Sequence, residues 1–433
     1  MREAGPLAAG AGMNDGAEFA RAEAEALFAA LRRAGGDGPG VTRAAFGPQE
    51  TEAHRIVAAA AARFGLECAT DAAASLVMTL PGADPALPAL ACGSHLDSVP
   101  QGGNFDGAAG VLAGLLALAR LRAEGTRLWR SIRLYALRGE ESAFFGKPYL
   151  GSSALFGRLS PADLAAPHAV SGEPLSACMA ACGAAVERIA AGEVLLDPAS
   201  LFAWLEVHIE QGPVLQARNL PVAAVTGIRG NVRYRSVVCH GEAGHSGAVE
   251  RWLRHDAVFA TADLLHRLDG HWQRLLGAGH DLVLTSGVLG TDPAEHAIAR
   301  IPGTVRFSFE ARSQSAATIA AVRALFLEEC ERVGDERGVR FEPGRRIDTD
   351  GAAMDPGWTE RLRAAIRGLG RDDQPMPSGA GHDAAVFAHA GVPSAMLFLR
   401  NAHGSHNPLE AMAMEDFLLG TEVLYRCLRE GAA

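Results

Sequence analysis

The chain is organised around residues 93–110, which read Gly-Ser-His-Leu-Asp-Ser-Val-Pro-Gln-Gly-Gly-Asn-Phe-Asp-Gly-Ala-Ala-Gly. A short apolar run leads into this stretch and predicts a buried strand, whose alternation would turn His95 and Asp97 the same way. Asp106 precedes the apolar segment 107–121, a predicted buried helix, and stands where an N-cap carboxylate belongs. One His and two Asp residues in this arrangement are typical of a metal site. The alternative is a structural histidine at a strand end beside an ordinary N-cap.

The overall composition is that of a soluble globular protein. Of the 433 residues, 48% are hydrophobic and 21% are charged, with a formal net charge of −10. No basic tract indicates nucleic-acid binding, and no run reaches the ~18 apolar residues that a membrane span needs. Seven cysteines without framework spacing argue against a disulfide scaffold. The start of the chain lacks the features of a signal peptide, so we expect a cytoplasmic protein without a nucleic-acid or membrane partner.

The order of predicted elements indicates two domains. A chain of this length is too long for one ordinary core. Up to residue 212, strands and helices alternate and polar residues follow each strand, which is typical of the α/β class. Residues 213–347 then follow a β-α-β-β-α-β order, as in ferredoxin-like folds. The sequence therefore predicts an α/β domain formed by residues 1–212 and 348–433, with an inserted α+β domain between them.

Polar residues that could form a hydrolytic site collect at the ends of the predicted strands. They are His95, Asp97, Asp106, Glu140, Glu141, His208, His382, Asp383 and His406. The predicted strand 202–211 also places Glu206, His208 and Glu210 on one face, as for a metal ligand held by carboxylates. Adjacent Glu140 and Glu141 can divide two roles, one facing a metal and the other a water. Paired Glu residues are often only a solvated surface, but the joint placement of the set favours a site.

Several motifs along the chain support a family resemblance. In chain order they are Gly-Ser-His-Leu-Asp-Ser-Val-Pro, Gly-Gly-Asn-Phe-Asp-Gly, Gly-Glu-Glu-Ser, Glu-Val-His-Ile-Glu-Gln-Gly-Pro-Val-Leu, Gly-Ala-Gly-His-Asp-Ala and Ser-His-Asn-Pro-Leu-Glu. With them, residues 40–428 resemble the hydantoinase/carbamoylase group of the M20 dinuclear-metal amidohydrolases. That group includes N-carbamoyl-L-amino-acid hydrolases, allantoate amidohydrolase and dinuclear β-ureidopropionase. The motif around His208 is the specific one, since the general peptidase branch lacks it.

The resemblance implies a fold and a set of metal ligands. The fold would be a zinc-peptidase-like α/β catalytic domain whose inserted domain acts as a lid and forms a homodimer. Two divalent ions (zinc, manganese or cobalt) would be bound by five residues, with Asp106 as the bridge between them. The implied ligands are His95, Asp106, Glu141, His208 and His406. Glu140 resembles the general base of the family, and Asp97 resembles the carboxylate that orients the first histidine.

Three further residues resemble substrate-side residues of the family. His245 matches a histidine that stabilises the tetrahedral intermediate and reaches over from the partner subunit. Arg312 matches an arginine that binds the substrate carboxylate, and Gln211 matches a polar residue on the substrate side. The implied partner molecule is therefore a small anionic substrate.

The substrate-facing residues depart from the family pattern. Ala299 stands where the family has an Asn that also holds the substrate carboxylate, and Glu310 replaces the usual Asp. We expect metal-dependent hydrolysis of a linear amide or ureido C–N bond, in an N-carbamoyl-L-amino acid or an allantoate-like ureido acid. The alternatives are an aminoacylase-like or dipeptidase-like deacylase, or a ligand-binding homologue without turnover. An intact Glu140 weighs against the last of these, because a binding protein needs no base.

Overall fold

The structure, a computed structural model, describes residues 13–36 and 38–433. Its helices are α1 (Met13–Gly35), α2 (Pro48–Arg63), α3 (Ala108–Ala123), α4 (Leu150–Leu155), α5 (Pro161–Leu164), α6 (Leu175–Ala181), α7 (Val186–Ala190), α8 (Val214–Arg218), α9 (Ala257–Gly277), α10 (Ala316–Arg337), α11 (Pro356–Gly368), α12 (Asp383–His389) and α13 (Met414–Ala432). Its strands are β1 (Glu67–Thr70), β2 (Leu76–Leu80), β3 (Ala89–His95), β4 (Ile132–Leu137), β5 (Leu201–Ile209), β6 (Val222–Ile228), β7 (Gly230–His240), β8 (Gly244–His245), β9 (Val283–Thr285), β10 (Leu289–Gly290), β11 (Arg300–Ile301), β12 (Thr304–Ser313), β13 (Arg340–Pro343), β14 (Arg346–Thr349), β15 (Ala352–Ala353), β16 (Met376–Ser378) and β17 (Ser394–Leu399).

The chain divides into two compact units, and the first contains residues up to Thr226 together with Met354–Ala433. Its sheet has the strand order β1-β2-β4-β3-β5-β17-β6. The four central strands, β4, β3, β5 and β17, are parallel to one another. The antiparallel strands β2 and β6 flank them, one on each side. A parallel centre needs helices over both faces, which explains why β3 is buried along its whole length. The α/β prediction is confirmed for this unit.

Helix α3 packs directly on the centre of this sheet. Nearly all of its residues are buried, so it is apolar on every side rather than amphipathic. Its backbone approaches β5 closely at Gly110, where a Cβ atom would lie 2.0 Å from the carbonyl oxygen of Val207. Only glycine permits that approach. The start of α3 is thereby fixed above the carboxyl ends of β3 and β5.

Two local predictions about carboxylates are wrong. The N-cap of α3 is Gly107, at a φ of 64°, and not Asp106, whose side chain does not cap the helix. The left-handed turn at Gly107 directs the carboxylate of Asp106 toward His95 and His208 instead. Glu210 does not lie beside His208, because β5 ends at Ile209 and strand alternation stops there. The Glu210 carboxylate instead accepts the first two N–H groups of α8, at 2.7 Å each.

The second unit is Gly227–Ala353. Its antiparallel sheet has the order β10-β12-β7-β13, with β9 paired to β12 and β14 paired to β7. Helices α9 and α10 connect these strands and share a core that includes Tyr234, Phe309 and Phe326. This order is the ferredoxin-like arrangement that the sequence predicted. The predicted span 213–347 starts too early, since α8 and most of β6 belong to the first unit. A role of this unit as a lid or a dimerisation domain stays a prediction.

Across the described part of the chain, no helix combines the length and the apolar character required to cross a bilayer.

Candidate metal centre

Two neighbouring strands deliver a pair of buried histidines. His95 ends β3 and His208 lies in β5, each with 1% of its surface exposed, and their Nε2 atoms are 3.4 Å apart. Nδ1 of His95 lies 3.2 Å from the carbonyl oxygen of Asp97, and Nδ1 of His208 lies 2.9 Å from that of Ile209. With a proton assigned to each Nδ1 by these contacts, both Nε2 lone pairs face the same point. Backbone and carboxylate partners of this kind orient metal-binding imidazoles.

Asp106 lies between this histidine pair and a second group of donors. Its Oδ1 is 3.2 Å from Nε2 of His208 and 3.5 Å from Nε2 of His95. This oxygen is buried and accepts no well-directed hydrogen bond from the residues that the structure describes. Its Oδ2 is 3.5 Å from Nε2 of His406, which in turn is 3.2 Å from Oε1 of Glu141. Asp106 is therefore shared by two donor groups, each with ligand atoms within 4.8 Å of one another.

This donor set fits two divalent cations. Imidazole nitrogens and carboxylate oxygens are the usual ligands of zinc and similar ions, and a shared carboxylate is what a two-metal centre requires. Burial alone would lower the pKa of His95, but the surrounding carboxylates Glu140, Asp106 and Asp97 raise it well above its ordinary value. The cluster therefore carries a negative potential that favours a cation. The five predicted ligands are brought together by the first unit, and their binding of metal stays a prediction.

The Glu140–Glu141 segment follows β4 and is anchored by Asp97. The two carboxylate oxygens of Asp97 accept the backbone N–H groups of Glu140 and Glu141, at 3.0 Å each. Asp97 also lies beside the His95 ring, with 3.3 Å between Oδ1 and Nδ1. One buried carboxylate thus holds both the histidine and the glutamate pair in place.

Glu140 is placed as a proton carrier next to this centre. Its Oε2 is 3.8 Å from Nε2 of His95, and its side chain is buried. Burial, together with the neighbouring carboxylates of Glu141 and Asp383, raises the pKa of Glu140 well above its ordinary value, although His95 opposes the shift. A carboxyl group with a raised pKa can take up and release a proton near neutral pH.

A buried ion pair behind this segment was missed by the sequence analysis. Nη1 of Arg138 lies 2.7 Å from Oε2 of Glu50, and the other oxygen of Glu50 accepts the N–H of Gly139 at 3.0 Å. Glu50 lies in the first turn of α2 and has the appearance of a surface residue in the sequence. Its Oε2 also accepts the nearby N–H of Phe46 at 2.8 Å, but Arg138 and Gly139 are 88 and 89 residues away, so no local spacing marks the ion pair.

Gln211 lies directly beside the candidate metal centre. Its Nε2 donates to Oδ2 of Asp106 at 2.8 Å and lies 3.4 Å from Nε2 of His406. Its backbone has a φ of 63°, and its N–H donates to the side chain of Asn401 at 3.0 Å. Its Oε1 is buried and accepts no hydrogen bond within the described part of the chain. Contact of Gln211 with a substrate stays a prediction.

A third group of donors has ligand atoms within 4.8 Å of one another: Glu206, His208 and His382. Glu206 and His382 are engaged in other hydrogen bonds, so we assign them to the support of the centre. The carboxylate of Glu206 accepts the N–H of Ala384 at 2.7 Å and the hydroxyl of Ser94 at 3.2 Å. Nε2 of His382 lies 3.0 Å from Oγ of Ser378. These atoms are already in use, and the His382 ring packs against His208, with 4.4 Å between ring centroids.

The remaining predicted residues lie in the second unit. His245 in β8 pairs with Arg300 in β11, and the N–H of Ser246 donates to the carbonyl of Ala299 at 2.8 Å. His245 and Ala299 are therefore close in space. Arg312 lies in β12 of the antiparallel sheet of the second unit, where its Nη2 is 3.1 Å from Oε1 of Glu310. The oxyanion role of His245 and the carboxylate-binding role of Arg312 and Ala299 stay predictions.

Comparison with known proteins agrees with this geometry. A model of the family described as Peptidase family M20/M25/M40 matches residues 91–430. An N-carbamoyl-L-amino acid amidohydrolase of Geobacillus stearothermophilus is 33% identical over 387 residues, which cover 89% of this chain and 92% of that protein. An allantoate amidohydrolase of Escherichia coli (strain K12) is 29% identical over 386 residues, which cover 89% and 91%. The crystal structure of a hydantoinase/carbamoylase family amidase from Burkholderia ambifaria matches with a TM-score of 0.85 at 30% identity, covering 95% of this chain and 96% of that one. The chain therefore belongs to peptidase family M20/M25/M40, in its hydantoinase/carbamoylase group of amidohydrolases.

Proposed function

We propose that the protein hydrolyses a linear amide or ureido C–N bond in a small anionic molecule, most simply an N-carbamoyl-L-amino acid or an allantoate-like ureido acid. The observation that carries the proposal is the sharing of Asp106 between two donor groups, with Glu140 buried beside them. Relatives named for carbamoyl amino acids and for allantoate support the substrate class.

The five ligands divide into two positions around Asp106. His95 and His208 would complete the first position, and Glu141 and His406 would complete the second. Two divalent ions, such as zinc, manganese or cobalt, would when bound polarise the scissile carbonyl group and lower the pKa of water. Asp97 keeps the His95 ring and the Glu140–Glu141 backbone in the required orientation.

Glu140 moves the proton in this proposal. Its carboxylate takes a proton from the attacking water and later gives one to the leaving nitrogen, which restores its starting state. His245 would donate a hydrogen bond to the developing oxyanion, from the partner subunit of a homodimer. Arg312 would bind the substrate carboxylate through its guanidinium fork, and Gln211 would present its unused Oε1 to the substrate.

A release assay distinguishes the proposal from its alternatives. The metal-loaded protein is incubated with N-carbamoyl-L-amino acids, allantoate, N-acetyl amino acids and dipeptides, and ammonia and free amine are measured separately. We expect ammonia from the carbamoyl or ureido substrates, with the N-carbamoyl-D-amino acids as controls for stereochemistry. Free amine from only the N-acetyl compounds or dipeptides would identify a deacylase. Full metal binding without turnover of any compound would identify a non-catalytic homologue.

The absence of the family Asn at position 299 gives a specificity prediction. A hydrogen bond to a charged group is worth about 1.5–3 kcal/mol, so an added amide should lower the KM for N-carbamoyl-L-amino acids about 10- to 100-fold in Ala299→Asn. Arg312→Lys should raise KM, because an ammonium group cannot reproduce a bidentate fork. Steady-state kinetics with several side chains measures both effects.

Ala297→Asn is the matched control, since it adds the same group two residues away on the same exposed segment. An unchanged KM in both Ala299→Asn and Arg312→Lys would show that the carboxylate is not bound by these residues. The metal chemistry could stand in that case, but the substrate assignment could not.

A further inference from the structure

We propose that Glu410 is a positioning residue that fixes the second metal position, formed by Asp106, Glu141 and His406, without binding metal itself. The inference rests on the two-metal assignment proposed above. It concerns the segment between β17 and α13, which carries His406 and Glu410. Glu410 belongs to the last sequence motif, but the function proposed so far gives it no role.

The segment that carries His406 has a strained backbone. His403 and His406 adopt φ angles of 65° and 60°, in the left-handed region that residues other than glycine rarely occupy. Half of the His406 side chain is exposed, at 50%, so packing alone does not hold its ring. Such conformations cost free energy and persist only where surrounding contacts determine them. The location of the imidazole therefore depends on the contacts that hold this segment against the rest of the site.

Glu410 supplies those contacts. Its carboxylate is buried, and its Oε1 accepts the backbone N–H groups of Phe105 at 2.8 Å and of Asp106 at 3.2 Å. Its Oε2 lies 2.6 Å from the hydroxyl of Ser405, the residue before His406. That hydroxyl also contacts Oδ2 of Asp106, the oxygen on the side of His406. One carboxylate thus links the backbone of Asp106 to the segment that carries His406.

The surrounding sequence leaves room for this link. A Cβ atom at Gly103 would lie 2.0 Å from the carboxylate of Glu410, so any other residue there would displace it. The space that glycine leaves beside Asp106 is filled by the Glu410 carboxylate. The close fit favours a fixed location for that group over a solvated one.

The effect of Glu410 should fall mainly on the second position. His95 and His208 lie in central strands, and Asp97 and Ile209 orient their rings without help from Glu410. Loss of the Glu410 carboxylate leaves these contacts intact but removes the link between Asp106 and the segment that carries His406. The amides of Asn401 and Asn407 still hold that segment, but neither donates to Asp106. In Glu410→Ala, both N–H groups and the Ser405 hydroxyl lose this acceptor. A glutamine could still accept from both N–H groups and donate to the hydroxyl oxygen, so it would not break the link. The affinity for the second ion should therefore fall much more than the affinity for the first.

The test is a metal titration of the full chain, prepared metal-free, with Zn²⁺ against a chromophoric chelator. We expect two tight equivalents in the wild type. In Glu410→Ala we expect one tight equivalent and one whose affinity is about 10- to 100-fold weaker, as for other residues that support metal ligands. His406→Ala identifies which step of the titration belongs to the second position. Ser405→Ala, which removes only the hydroxyl, should weaken the same step by a smaller factor.

Asp71→Ala is the matched control, because the Asp71 carboxylate also accepts two backbone N–H groups, those of Ala73 and Ser75, in the turn between β1 and β2. It should leave both affinities unchanged. Thermal unfolding of the metal-free variants shows whether each is folded. If Glu410→Ala is not, the titration of Ser405→Ala decides. The inference is overturned if the affinities for both ions fall equally, or if neither affinity changes. A wild type that binds fewer than two ions overturns the two-metal assignment and the inference together.

Discussion

We expect replacement of Glu140 by Gln to lower kcat by about 10²–10⁴-fold and to leave metal binding nearly unchanged. Glutamine keeps the shape of the side chain and the backbone contacts of the segment but cannot take up a proton. The structure gives Glu140 no direct place in either three-residue donor group, while its Oε2 lies 3.8 Å from His95 at the edge of the first. The measurements are kcat on the substrate that the release assay identifies and the metal content of the purified variant.

Two controls sharpen this result. Glu140→Asp keeps a base on a shorter side chain, so its kcat should fall between those of the wild type and Glu140→Gln. Glu52→Gln changes a carboxylate that pairs with Arg55 on the surface of α2, and it should leave kcat unchanged. A Glu140→Gln variant that turns over close to the wild-type rate would remove Glu140 from the role of base. The two-metal assignment would be unaffected, since it depends on other residues.

We expect removal of metal to abolish activity and added zinc, manganese or cobalt to restore it. Elemental analysis of the restored protein should find about two divalent ions per chain, as a dinuclear mechanism requires. Without a cation, the carboxylates of Asp106, Glu140 and Glu141 lie close together in a buried space, and the histidines beside them are the three predicted ligands His95, His208 and His406. The metal-free protein should therefore also unfold at a lower temperature, and the difference should grow with metal concentration.

The control for this experiment is the same chelator saturated with zinc beforehand, which should affect neither activity nor unfolding temperature. Activity that survives chelation, in a protein that takes up no metal on reconstitution, would contradict the proposed mechanism. If the protein binds about two ions per chain and gains stability but hydrolyses none of the tested compounds, the metal site is supported and the proposed function is contradicted.

The class of the fold and most residues of the candidate centre can be predicted from the sequence. Alternation of strands and helices predicts the α/β unit, because the period of apolar residues is a local property of the chain. His95, His208 and the Glu140–Glu141 pair are also found locally, since each lies at or after a predicted strand and parallel strands bring such ends to one edge. The motifs around them then indicate the family.

The directions of the carboxylates and the hydrogen bonds that hold them depend instead on the folded chain. Asp106 turns away from the helix it precedes because Gly107 takes a left-handed backbone, and Glu210 turns to α8 because β5 has ended. Glu410 reaches Phe105 across 305 positions of sequence, and Glu50 reaches Gly139 across 89. Contacts of this length leave no periodic pattern and no local spacing, because they form only when the folded sheet brings distant loops together. The sequence therefore determines which groups carry the chemistry, and the fold determines which groups hold them in place.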